Sequence, residues 1–163
     1  MTVAAWASLA PLLALLGSLV NAFFGRNLKE PLPGIIASVA VGLGFVLSAM
    51  AFLDVAGSGE AVRVGFGEFL KAGDFNVALG FHFDQLSTVM MLIITGVGFL
   101  IHVYSIGYMK GDDGYSRFFA QLNLFIAAML VLVMADSFVL MFVGWEGVGV
   151  CSFLLIGFWY KDL

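Results

Sequence analysis

Residues 137–160 read SFVLMFVGWEGVGVCSFLLIGFWY and contain a single charged side chain, Glu146. An α-helix needs about 20 apolar residues, each adding about 1.5 Å, to cross a hydrocarbon core about 30 Å thick. This stretch is long enough and apolar enough to cross. It therefore indicates an integral membrane protein that places one carboxyl group inside the membrane.

Four more windows without a charged residue precede this stretch, each long enough to span a bilayer. The first is not read as a secretory signal, because Met1-Thr2-Val3 carries no positive charge and the apolar run exceeds the usual 7–15 residues. The sequence therefore predicts an all-α membrane protein with one membrane domain over residues 1–163. The five transmembrane helices are expected at about residues 3–24, 34–53, 85–109, 116–135 and 137–160.

The composition excludes several classes of protein. Hydrophobic residues make up 62% of the chain and charged residues only 11%, whereas a soluble domain carries about 25% charged residues. A soluble enzyme, a disordered tail and a basic nucleic-acid binder are excluded, so no nucleic-acid partner is expected. The single cysteine rules out a disulfide framework and any CxxC-type metal or iron–sulfur site in this chain.

The segment 54–84 is the one sizeable stretch expected outside the bilayer. Apolar residues alternate with other residues over 62–67 and 75–84, which predicts a β-hairpin with its turn at 71–74. Because an isolated hairpin is marginally stable in water, we expect it on the membrane surface or against a neighbouring subunit. His82 has no second histidine or cysteine at ligand spacing, so no metal site is predicted.

The basic residues near the span ends predict the orientation. Five fall on one side of the membrane and two on the other, and the larger group is held in the cytoplasm. This group comprises Arg26, Lys29, Lys110, Arg117 and Lys161. The N-terminus and the hairpin are therefore expected outside the cytoplasm, and the C-terminus inside.

Glu146 is the acid within a predicted span. It lies nine residues after Ser137, about 14 Å along a helix and close to the middle of the membrane. Such acids usually face a bundle interior or a hydrated cavity. Desolvation and a nearby cation act in opposite directions on the proton affinity, so this carboxyl group could exchange a proton near neutral pH. The alternative is a protonated glutamate that only bonds a neighbouring helix.

His102 is the histidine within a span and a possible relay. It lies seventeen residues after Gln85, about 25 Å along the helix, so only water could connect it to Glu146. The alternative is an interfacial or structurally bonded histidine. No lysine or arginine lies within a predicted span, so a cation for Glu146 must come from elsewhere.

Helix packing is indicated by small residues four apart. Gly34, Ser38 and Gly42 form such a series in the second span, and Gly147 with Cys151 repeats the spacing in the fifth.

Neither a facing histidine pair for haem nor a glycine-rich dinucleotide fingerprint is present. Any redox cofactor is therefore expected in other chains.

Four segments carry a resemblance to a known family: FHFDQLS at 81–87, GVGFLIHVYS at 96–105, GYSRFF at 114–119 and GWEGVG at 144–149. Together they resemble the N-terminal part of the chain L family of bacterial NADH:quinone oxidoreductase, respiratory complex I. This antiporter-like family is related to the membrane subunits of Mrp-type cation/proton antiporters and of membrane-bound hydrogenases. Its members continue through more helices, which implies that this chain is a fragment of a longer subunit or one piece of a split subunit.

The resemblance implies a role for Glu146. By position it matches the family's fifth-helix glutamate, which pairs with a lysine on a later helix and takes part in proton translocation. FMN, iron–sulfur clusters, quinone and NADH are then expected in partner subunits, with no cofactor in this chain. The expected surroundings are the other membrane subunits of complex I and the lipid bilayer of the bacterial inner (plasma) membrane. A Mrp-type antiporter subunit, a hydrogenase subunit and a non-pumping membrane scaffold stay open as alternatives.

Overall fold

The computed structural model describes residues 3–72 and 75–160, apart from the side chains of residues 3, 4, 69, 70, 72, 75 and 76. Helices and strands follow in the order α1 (Val3–Trp6), α2 (Ala10–Phe24), α3 (Leu32–Ser58), β1 (Val62–Ala72), β2 (Phe75–Phe83), α4 (Gln85–Tyr108), α5 (Tyr115–Met134) and α6 (Phe138–Ile156). Short 3₁₀ turns extend α2 at both ends, giving an apolar helical stretch Ala7–Asn27. This stretch and α3 to α6 are the five described helices long and apolar enough to cross a membrane, as predicted.

Two helix boundaries differ from the prediction by more than three residues. α3 continues past the predicted end at 53 and stops at Ser58, where Gly59 adopts φ 70°, a left-handed conformation that glycine adopts freely. The predicted end rested on Asp54. A charged residue marks the point where a helix leaves the membrane core, but it does not interrupt the hydrogen bonding of the helix. α6 ends at Ile156, four residues before the predicted 160, and Gly157 follows it.

The start of α4 is fixed by reciprocal capping. The Asp84 carboxylate accepts a hydrogen bond from the Ser87 backbone N–H at 2.7 Å, and the Ser87 hydroxyl accepts one from the Asp84 N–H at 2.8 Å. The bond from the Ser87 backbone, more than any other contact, lowers the pKa of Asp84 below its ordinary value of 3.8. The cap therefore ties the end of β2 to the first turn of α4.

The helices form a bundle in which α6 lies at the edge. α2 packs against α3 and α5, α4 packs mainly on α3, and α6 packs on α5. Within α6 only Gly144 and Cys151 are buried, whereas α5 buries eight residues. Most of the α6 surface therefore faces away from the described part of the chain.

The predicted hairpin is present. β1 and β2 pair antiparallel from Val62↔Phe83 to Ala72↔Phe75, with irregularities after Gly65 and Glu68. Residues 73 and 74 of the predicted turn lie outside the described residues.

The hairpin contacts the helices of this chain. Phe81 and Phe83 are buried in the same apolar cluster as Met91 and Met134, and the Asp136 N–H donates to the Gly80 carbonyl at 3.1 Å. The base of the hairpin therefore packs on the ends of this chain's own helices. The sequence did not predict this contact, because pairing between β2 and the α5–α6 corner leaves no local mark in the sequence; the expected place on the membrane surface or against a neighbouring subunit stays a prediction.

The loops at the opposite end of the bundle are tied together by Asp112. Its carboxylate accepts hydrogen bonds from the Trp159 indole N–H at 2.9 Å and from the Gly114 backbone N–H at 2.7 Å. These donors, the indole foremost, lower the pKa of Asp112. The loop before α5 is thereby joined to the segment after α6.

Candidate functional site

Glu146 lies close to the middle of α6, nine residues after the N-cap Ser137 and ten before Ile156. Its side chain is exposed, and no described residue forms a hydrogen bond or ion pair with it. The expectation that it faces a bundle interior is therefore not met within the described residues. The sequence could not predict this direction, because α6 is apolar on every side and has no distinct inner face.

The direction of Glu146 follows from the seam between α6 and α5. A Cβ atom at Gly144 would lie 2.6 Å from the Leu132 backbone nitrogen, so the two backbones nearly touch there. Gly147, three residues on, faces Ala128, where a Cβ would lie 3.0 Å from the alanine methyl carbon. Glu146 is two residues past Gly144, or about 200° around the helix, and so points away from α5. The contacts of Gly144 and Gly147 with α5 thus direct the carboxyl group outward; of these two glycines, the sequence predicted only Gly147 as a packing residue.

His102 lies in α4 and is fully buried. Its Nδ1 donates to the Gly98 carbonyl oxygen at 2.7 Å, and its Nε2 lies 2.7 Å from Asn123 Oδ1 on α5. A carbonyl oxygen only accepts hydrogen bonds, so Nδ1 must carry a proton. The structure therefore shows a histidine with both ring nitrogens bonded; a role as relay stays a prediction.

His102 and Glu146 are not brought together. His102 meets α5 at Asn123, whereas α6 meets α5 at Ala128 and Leu132. Ala128 and Leu132 are five and nine residues past Asn123, which places them about 140° and 180° away from Asn123 around the axis of α5. α5 therefore separates the two titratable groups.

Sequence reasoning missed several buried polar side chains within the bundle, one of which, Asn123, bonds His102. Asn123 is fully buried, and its Nδ2 has no described hydrogen-bond partner. On α2, the Asn21 amide donates to the Pro33 carbonyl at 3.0 Å and the Ser18 hydroxyl donates to the Ala120 carbonyl at 2.7 Å. Asparagines inside apolar spans are the signal that could have found them, since polar side chains there bond across helices.

The family described as "NADH-Ubiquinone oxidoreductase (complex I), chain 5 N-terminus" matches residues 69–119 of this chain. This segment covers most of the hairpin, all of α4 and the start of α5, and it includes His102. Glu146 lies beyond the matched residues.

Whole-chain relatives carry related names. NADH-quinone oxidoreductase subunit L of Escherichia coli (strain K12) is 45% identical over 156 residues, 95% of this chain and 25% of the relative. Subunit L of Pseudomonas aeruginosa is 42% identical over 93% of this chain and 25% of the relative. NADH-ubiquinone oxidoreductase chain 5 of Cryphonectria parasitica is 41% identical over 93% of this chain and 23% of the relative. The chain spans about a quarter of the length of the curated relatives that it matches.

Proposed function

This chain belongs to the family of NADH-quinone oxidoreductase subunit L and NADH-ubiquinone oxidoreductase chain 5, and from that premise we propose that it is part of a proton-translocating membrane arm. In this proposal NADH, FMN, iron–sulfur clusters and quinone are bound by other subunits, and this chain performs no redox chemistry. It lies in a bacterial inner membrane with its N-terminus and hairpin outside. The excess of basic residues at the opposite end supports this orientation.

The position of Glu146 carries the proposal. A carboxylate near the middle of a membrane helix costs about 2.5–3.5 kcal/mol even on insertion scales, and it cannot reach an interface from there. A residue retained at that cost on the outward face of α6 is well suited to meet a partner beyond the described residues. Proton uptake and release at Glu146 would then depend on what that face contacts.

The partner in this proposal is a lysine from a later helix of the longer subunit. With the ammonium group close, the ionised carboxylate is stabilised, so the protonated acid releases its proton; with the ammonium group withdrawn, the neutral acid is favoured. A movement of that cation therefore changes the proton affinity of Glu146. By linkage, protonation of Glu146 changes the preferred position of the cation by the same free energy.

His102 is proposed as a second proton-holding group. The Asn123 amide can accept from Nε2 through its oxygen, or donate to Nε2 through its nitrogen after rotation by 180°. The imidazolium and the neutral imidazole can therefore both stay hydrogen-bonded without a backbone shift. Because α5 lies between His102 and Glu146, any transfer between them requires a path through water.

The test uses the complete oxidoreductase in sealed membrane vesicles. In the Glu146→Gln variant we expect NADH-driven proton uptake to fall severalfold, because the amide cannot ionise, while the subunit composition stays unchanged. Glu146→Asp retains a carboxyl group and should restore part of the uptake. Glu60→Gln, an acid in the exposed loop before β1, is the matched control and should pump normally.

Normal proton uptake per NADH in an assembled Glu146→Gln complex would contradict the proposed role. It would favour a non-pumping scaffold, in which the α5–α6 packing is the only contribution of this region.

A further inference from the structure

Two adjacent cavities, together called the groove, lie along α2 and α5, from the loops at one end of the bundle toward the hairpin at the other. The groove consists of a polar cavity of 650 Å³ and an apolar cavity of 510 Å³, both lined by Leu124. On α2, Leu15 lines the apolar cavity and Ser18 the polar one. Residues three apart lie on one helix face, so the two cavities share one wall.

The polar end of the groove has a net positive formal charge. Arg26 and Arg117 line it together with Asp113, giving two positive charges and one negative charge. Arg117 is held in place, since its Nη2 donates to the Phe158 carbonyl at 3.2 Å and its guanidinium carbon lies 4.6 Å from the centre of the Phe158 ring. Guanidinium groups suit a phosphate group, and Arg117 is pre-positioned for one. The net charge of +1 matches one phosphodiester.

The same end contains a buried acceptor that lacks a donor. Asn21 is 1% exposed and lines the polar cavity, and its Oδ1 has no described hydrogen-bond partner. The Asn21 Nδ2 donates to the Pro33 carbonyl, which fixes the oxygen as the free atom of the amide. Gln121 Oε1, also at this end, is likewise without a described partner. Buried polar atoms are normally satisfied, so this end of the groove has unused hydrogen-bond acceptors below its surface.

The other end of the groove is apolar. Leu12, Leu15, Ala128 and Val131 line it, and Phe81 of the hairpin contributes to its far end. From Arg26 back to Leu12 is fourteen residues, about 21 Å along a helix, which is more than half the thickness of a hydrocarbon core. A soluble anion would leave this length of groove unused, whereas an acyl chain attached to the phosphate group would occupy it.

We propose that this groove binds an anionic glycerophospholipid, such as phosphatidylglycerol. The phosphate lies between Arg26 and Arg117, and one acyl chain extends past Leu124 between Leu12 and Val131. Basic pockets between membrane helices bind anionic headgroups in this way. Binding does not depend on Glu146, so failure of the proton-translocation proposal would leave this one intact.

The test uses the complete oxidoreductase in proteoliposomes that contain a trace of phospholipid with a photoreactive acyl chain. Crosslinked peptides are mapped by mass spectrometry for a phosphatidylglycerol probe and for a phosphatidylcholine probe, which has no net charge. We expect the phosphatidylglycerol probe to label the α2 and α5 segments that line the groove. The phosphatidylcholine probe should label them about fivefold less, the effect of about one favourable charge at the membrane surface.

Two variants and a control distinguish the site from general membrane contact. Arg26→Gln should lower labelling by the phosphatidylglycerol probe about fivefold. Leu12→Trp, which fills the apolar end without touching either arginine, should lower it as well. Lys29→Gln removes an exposed positive charge at the same end but outside the groove and should leave labelling unchanged.

Equal labelling by both probes, unaffected by Arg26→Gln, would overturn the proposal in favour of unselective contact with bulk lipid. Absence of labelling at the groove would also overturn it, and would indicate that a helix of the longer subunit covers this face.

Discussion

Replacing Gly144 with alanine should open the seam between α5 and α6. The new Cβ would lie 2.6 Å from the Leu132 nitrogen and 2.7 Å from its Cα, where ordinary contact begins at 3.4 Å. Both atoms belong to the backbone, so no side-chain rotation relieves the overlap and the helices must move apart by about 0.8 Å. A gap of that size forfeits a quarter to a half of each dispersion contact along the seam. With the usual cost of overpacking, the expected destabilisation is about 1–3 kcal/mol.

The chain provides a matched control and a local reporter. Gly149→Ala is the same substitution in the same helix, but a Cβ there meets nothing within 4 Å, and any gain in helix propensity is common to both variants. Cys151 lies seven residues past Gly144 on the same face of α6 and is 1% exposed. Its alkylation therefore requires the seam to open.

The assay is the rate of maleimide labelling of Cys151 in the native complex, located by peptide mass spectrometry. If labelling follows local opening, a destabilisation of 1–3 kcal/mol raises the rate about 5- to 150-fold in Gly144→Ala relative to Gly149→Ala. Gly147→Ala, whose Cβ meets the Ala128 methyl carbon at 3.0 Å, should fall between the two. Equal rates in the Gly144 and Gly149 variants would refute the close backbone approach.

Two other predictions concern the N-terminal cap and the interior of α4. Because the folded-state pKa of Asp84 is lowered, its cap stabilises the protein above pH 3.8 and this contribution, about 1 kcal/mol, is lost as the pH falls through the folded pKa. Asp84→Asn should therefore lack this part of the acid destabilisation, and parallel stability–pH curves for the two proteins would contradict the assignment. Inside the bundle, His102→Leu leaves Asn123 without its partner and should lower the free energy of unfolding by about 1–3 kcal/mol more than His102→Gln, whose amide can still bond. Equal denaturation midpoints in the same detergent would exclude a stabilising hydrogen bond.

The number and position of the long helices could be predicted because charged residues are costly in a membrane core, so uncharged windows mark the spans. The hairpin could be predicted because alternation is a local pattern. The packing of Phe81 and Phe83 could not be predicted, since their neighbours Met91 and Met134 lie on other elements. The depth of Glu146 followed from counting residues, but its direction depends on the contact between Gly144 and Leu132, which only the folded chain shows.

His102 illustrates the same limit within the candidate site. Its place near the end of the third span followed from the sequence, as did the absence of direct contact with Glu146. The hydrogen bond between His102 and Asn123 did not follow from the sequence, because two residues twenty-one apart on different helices share no periodic pattern. The expected lysine partner of Glu146 stays a prediction.

The central claim is that Glu146 changes its protonation state during turnover. Infrared difference spectroscopy on the complete oxidoreductase, triggered by NADH, detects the carbonyl stretch of a protonated carboxyl group directly. The account predicts a carboxylic-acid difference band that shifts in D₂O, disappears in Glu146→Gln and is retained in Glu60→Gln. A difference spectrum that is unchanged in an assembled Glu146→Gln complex would contradict it.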